Sequence, residues 1–73
     1  MRVKINIDTL SKIHSFVDIC SKLDCNVNLI DGVEYRVSAK SLVGAIATMD
    51  WTEVFVECKE DIYQHILEFV VIE

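Results

Sequence analysis

The chain contains no proline, only two glycines, and no low-complexity run or internal repeat. Nothing in it marks a linker, so its 73 residues read as one small domain. Basic residues are also scarce. Seven Lys and Arg stand against twelve Asp and Glu, giving a net charge of −5. That balance excludes a broad basic face and disfavours nucleic acid as a partner. No apolar run approaches the length of a membrane span. The first residues alternate between polar and apolar rather than building a signal peptide, so the expected location is cytoplasmic. Cysteines number three, Cys20, Cys25 and Cys58, with no Cys-x-x-Cys. An odd count without that motif argues against a disulfide framework and for a reducing compartment. Cys20 and Cys58 read as small core residues and Cys25 as a turn residue, with no ligand spacing for a metal and no sign of a cofactor.

What the chain does have is apolar content. At 52% hydrophobic residues it can build a core and is not disordered. A domain this size buries only about 60% of its unfolded surface, so its stability is a few kcal/mol. Arg2 to Ile7 alternates strictly, a half-buried strand with Val3, Ile5 and Ile7 inward. Asp8 reads as the cap of a helix near 9–23 whose stripe is Leu10, Ile13, Phe16, Val17, Cys20 and Leu23. Residues 26–30 alternate again, Asp31-Gly32 fits a type I′ turn, and 33–38 alternate in return, which predicts a β-hairpin. A helix is expected over 41–49 and a strand over 53–58, with Val54, Val56 and Cys58 on one side. Asp61 with Gln64 resembles a capping box and predicts a last helix near 61–71.

The order βαββαβα predicts an α+β fold in two layers, a four-stranded antiparallel sheet with three helices on one face and the other face open to water. Lys4, Asn6, Asn28, Glu34, Arg36 and Glu57 are assigned to that open face. A ferredoxin-like arrangement shares the first six elements, and the pattern alone does not divide the two.

The stretch Ser38 to Met49 carries the most information. Ser41 precedes an apolar run and can cap the helix by accepting from its second or third backbone N–H. Leu42, Val43, Ile46 and Met49 recur at helical spacing, and the helix is more apolar than one buried stripe requires. Part of it is therefore wedged into a core or left exposed as a docking patch. A phosphate on Ser41 would meet the positive end of the helix, and Lys40 beside it could help neutralise the added charge. Core packing with simple capping accounts for the same residues.

Over roughly residues 9 to 70 the chain resembles HPr, the small phosphocarrier of the bacterial sugar phosphotransferase system. The residues that carry this are Ser21-Lys22-Leu23-Asp24-Cys25-Asn26-Val27-Asn28-Leu29, the turn Asp31-Gly32, and above all Ala39-Lys40-Ser41-Leu42-Val43-Gly44. The resemblance implies the open-faced β-sandwich of that family. It also implies phosphorylation of Ser41 by an HPr-type kinase, followed by binding to a transcriptional regulator, with Lys40, Leu42, Val43 and Ile46 as partner-binding candidates.

The chain departs from the family at its active site. HPr accepts a phosphoryl group from enzyme I on a histidine in a Gly-Leu/Ile-His-x-Arg-Pro segment. Here Thr9 stands where the histidine should be and Ser11 where the arginine should be, and the preceding glycine-containing loop is missing. Thr9 offers no nucleophilic nitrogen, and no arginine remains nearby to hold a phosphate bidentately. The expectation is a regulatory or adaptor protein rather than an enzyme or a carrier. One alternative is a true phosphocarrier using His14, since Ile13-His14-Ser15 imitates the family's Leu-His-x. Another is a small interaction module, with Phe55 and the apolar helix as its surface and a homodimer as one form of it. His65 is expected to face solvent.

Overall fold

Strands form where apolar and polar residues alternate, and in the fourth strand the burial follows that alternation closely. In the computed structural model, which describes residues 1–72, Val54, Val56 and Cys58 of one strand are buried while Phe55 and Glu57 between them are half-exposed. The elements are β1 (Arg2–Ile5), α1 (Leu10–Ser21), β2 (Val27–Ile30), β3 (Arg36–Ser38), α2 (Leu42–Ala47) and β4 (Val54–Cys58). Three 3-10 turns complete them, at Thr48–Asp50, Tyr63–His65 and Leu67–Phe69. The fold is α+β.

All four strands pair antiparallel in the order β1-β4-β2-β3. β1 and β2 therefore run parallel with β4 between them, and β3 and β4 run parallel with β2 between them. These are two interleaved split β-α-β units, each crossing over through a helix. The inner strands are β2 and β4. In the ferredoxin-like arrangement the first and third strands are the inner pair, so this order excludes it.

The register Val3↔Val56↔Leu29 aligns one row of the core face, and Ile5↔Val54 lies beside it. Against that face α1 sets Ile13, Phe16, Val17 and Cys20, and α2 sets Ala45. On the opposite face the rows are Lys4, Phe55, Ile30, Arg36 and Arg2, Glu57, Asn28, Ser38. This side is less open than its polar residues suggest. Arg2 lies over the Phe55 ring at 5.2 Å, Arg36 pairs with Glu57, and Ile30 between them is buried.

Several sequence expectations are corrected. Thr9, not Asp8, caps α1: its Oγ1 accepts from the Lys12 N–H at 3.2 Å, and Asp8 pairs instead with the Lys12 ammonium. Starting one residue later leaves Leu10 over half exposed, outside the core stripe. The β2–β3 connection is not a two-residue type I′ turn, which needs positive φ at both central positions. Only Gly32 has it, at 90°, and the loop runs from Asp31 to Tyr35, which places Glu34 in a loop instead of on the sheet. Asp31 dictates this loop, because its Oδ1 accepts from the backbone N–H groups of Val33, Glu34 and Tyr35.

The largest correction is the last helix. The apolar spacing of Ile62, Ile66 and Phe69 fits a helix, and all three are buried, yet the segment forms two 3-10 turns. Asp61 accepts from the Tyr63 N–H, an Asx turn, and not from a third helical residue. The outer edge of β1 explains the ending. Asn6 donates to the Phe69 carbonyl at 2.8 Å, Val71 donates to the Lys4 carbonyl at 3.0 Å, and Val70 bridges Ile5. The run Val70-Val71-Ile72 is β-branched and suits an extended segment. Pairing it covers an edge that would otherwise be open to association.

Candidate interaction site

The turn after β3 is built by its own small polar residues. Ser38 Oγ accepts from the Lys40 N–H, and the Ser38 carbonyl accepts from the Ser41 N–H. Ala39 is pinned between them, fully buried and bonded to the Val27 carbonyl. The chain then enters α2 at Ser41, whose backbone is extended and whose Oγ accepts from the Gly44 N–H at 3.2 Å. That is the cap the sequence predicts. Gly44 has a separate reason to be there: a Cβ would stand 3.2 Å from the Val37 Cβ, so glycine lets α2 lie close to β3.

Ser41 is exposed, and so is much of the adjoining helix. Val43 is 80% exposed, Ile46 38% and Met49 46%, while Leu42 is half-buried against the core and Ala45 fully buried. The helix is thus anchored by one narrow face and presents apolar side chains on another. Thr48 ends it inside the protein, where its hydroxyl donates to the Ala45 carbonyl at 2.6 Å.

Lys40 does not sit over Ser41. Its ammonium donates to the Leu23 carbonyl at 2.6 Å, tying the turn before α2 to the chain leaving α1. A phosphate on Ser41 would meet the α2 backbone without help from this lysine in its present position. Ser41→Ala is expected to cost about 1 kcal/mol as a lost cap. A urea titration reads this directly, and a change below about 0.3 kcal/mol would mean that the cap contributes little.

His14 is exposed on α1, one turn beyond the helix start and away from the unpaired N–H groups at its end. The start itself holds Thr9 and the Asp8–Lys12 pair at 3.2 Å, so a carboxylate already lies where an incoming phosphate would need to be stabilised. Ser11 is exposed beside it, and His65 is exposed in a 3-10 turn. Among the described residues, no group of three His, Cys, Asp or Glu is placed to hold a metal ion.

The cysteines are the feature that spacing did not reveal. Cys25 leaves the α1–β2 turn and meets the last residue of β4, with its sulfur 3.6 Å from that of Cys58. Cys20 lies fully buried nearby, and all three are free thiols. Burial pushes the Cys20 thiol up to about 12. Desolvation, followed by hydrogen bonding to Cys58, pushes Cys25 up to about 11. A raised thiol value means the neutral form is favoured by the fold. Its contribution to stability is complete below the unfolded value near 8.5 and is lost as pH rises towards 11 to 12. Because exchange requires the thiolate, Cys25 is expected to react slowly at neutral pH despite its proximity to Cys58. Mass spectrometry without reductant should give the mass of three free thiols; a loss of two hydrogens would contradict this.

Comparison with known proteins finds no matching family model, no matching curated protein and no matching solved structure.

Proposed function

We propose that this chain is an HPr-like regulatory or adaptor protein, with the open-faced β-sandwich of that family. It works in the cytoplasm through Ser41 and the adjoining face of α2 and does not carry phosphoryl groups. The observation that supports this reading is the exposed Ser41 hydroxyl at the start of α2, beside exposed Val43 and Ile46. The residues quoted around Lys40-Ser41 resemble those of HPr, and Thr9 in the histidine position supports a role without carrier chemistry. A phosphate on Ser41 adds about −2 of charge and three acceptor oxygens at the edge of an apolar patch, with little demand on the fold. The patch would bind a protein, either an HPr-type kinase or a transcriptional regulator, and the modification would change that affinity.

The test is the rate at which an HPr-type kinase with ATP phosphorylates the protein. Acid-stable phosphate on Ser41 is expected, absent in Ser41→Ala and slowed in Val43→Asp, whose side chain lies outside the core. Wild-type protein that takes up no phosphate, with authentic HPr modified in parallel, would overturn the reading.

A further inference from the structure

A second surface, independent of Ser41, lies where the β2–β3 loop meets the chain leaving α2. The two segments border an open cavity of about 330 Å³ whose lining includes Asp31, Val33, Tyr35, Asp50, Trp51 and Glu53. Tyr35 and Trp51 stack with ring centroids 6.2 Å apart and planes 21° from parallel. The stack is not sealed, since Tyr35 is 58% exposed and Val33 90%.

The charge around this apolar floor has one sign. Asp31, Asp50 and Glu53 line the cavity, and among the described residues no lysine or arginine does. Asp31 is held ionised: backbone N–H bonds, that of Val33 foremost, keep its carboxyl below the usual range. The same bonds fix the loop that carries Tyr35, so the stack is held in place without a ligand. Glu53 meets Lys4 at 3.4 Å, but Lys4 stands outside the lining. Other cations are engaged elsewhere, Lys12 with Asp8, Lys22 with Asp18, and Arg36 with Glu57.

A flat aromatic stack edged by carboxylates is complementary to one kind of group. A guanidinium is planar, stacks on aromatic faces, and donates several N–H bonds in its plane to carboxylates. An ammonium would gain the charge but not the stacking. The volume is at the low end of the ~300–1,000 Å³ typical of ligand pockets, which suits one long side chain. We infer that this surface receives an arginine side chain from a basic segment of a protein partner. The aromatic pair supplies the contact area, and the carboxylates set both the sign of the partner and the orientation of the guanidinium.

Trp51 is the single tryptophan, so the site carries its own reporter. The experiment is a fluorescence titration at low salt with a short blocked peptide containing two arginines, and with the same peptide carrying neutral citrulline. Saturable change is expected with the arginine peptide only, weakened by added salt as the charges are screened. Asp50→Asn and Tyr35→Ala should each weaken binding by about fivefold or more. Their circular dichroism, matched to the wild type, shows that the fold is kept. Ser41→Ala should bind as the wild type does, which separates this inference from the function proposed above. No response to the arginine peptide, equal binding of the citrulline peptide, or unaltered binding by Asp50→Asn would each overturn it. So would fluorescence that depends on protein concentration without peptide, together with a dimer mass, since the occupant would then be a second copy.

Discussion

Phe16→Ala is expected to leave the protein largely unfolded at physiological temperature. Phe16 is fully buried, and its ring meets that of Phe69 edge-on at 5.2 Å and 89°. This contact joins α1 to the C-terminal segment, so the cavity left by truncation would open at the junction of both with the sheet. Removing a buried phenylalanine costs about 3–5 kcal/mol. At roughly 0.05–0.15 kcal/mol per residue, a domain of this size has about 4–11 kcal/mol in total, and small domains fall towards the lower end. A thermal melt should show the midpoint lowered by at least about 15 °C. Leu10→Ala is the matching control: its side chain is over half exposed, and the change should stay within about 0.5 kcal/mol. A Phe16→Ala midpoint within about 5 °C of the wild type would contradict the packing described here.

Val71→Pro should open the outer edge of β1. The substitution deletes the N–H that donates to the Lys4 carbonyl at 3.0 Å. It asks little of the preceding residue, because Val70 already has φ −69° and ψ 133°, the region a following proline favours. Losing the bond and leaving the carbonyl without its partner costs about 1–3 kcal/mol. The neighbouring bond, from the Asn6 N–H to the Phe69 carbonyl, should loosen with it. Two readouts follow: faster hydrogen exchange at the Asn6 amide, and association that grows with concentration as an unpaired strand edge finds a partner. Unchanged protection at Asn6 would show that residues 69–71 do not clamp this edge.

The parts of the fold that were legible in the sequence are those where one physical signal acts alone. Alternation placed β1, β2 and β4, because each has one face on the core. Ser41 was legible as a cap because capping is local, needing only a hydroxyl ahead of a helical run. The errors lie where a contact that the hydrophobic pattern does not show, near or distant, outweighs it. Ile62, Ile66 and Phe69 are spaced for a helix, but β1 offers backbone partners to Phe69 and Val71, and only the β-branched run Val70-Val71-Ile72 hints at this in the sequence. Asp31 beside Gly32 looks like a tight turn, yet its carboxylate gathers three N–H groups and lengthens the loop. That change moves Tyr35 off the sheet and onto Trp51, so the aromatic stack had no local signal at all. The approach of Cys25 to Cys58 was hidden for a related reason: the two are brought together by strand order, which spacing does not encode.

The candidate site divides in the same way. Exposure of Val43 and Ile46 follows from a helix too apolar for one buried stripe, and that excess could be read from residues alone. The reach of Lys40 to the Leu23 carbonyl could not, since a long flexible side chain takes whichever acceptor the fold offers.

The central claim is that this chain carries its functional surface at the start of α2 and not at the start of α1. The most direct measurement offers the protein both phosphoryl donors in parallel, enzyme I with phosphoenolpyruvate and an HPr-type kinase with ATP. The phosphate is then located by tandem mass spectrometry under neutral conditions. The account predicts phosphate on Ser41 from the kinase and none from enzyme I. Stoichiometric phosphate on His14, lost in His14→Ala, with Ser41 unmodified, would contradict it.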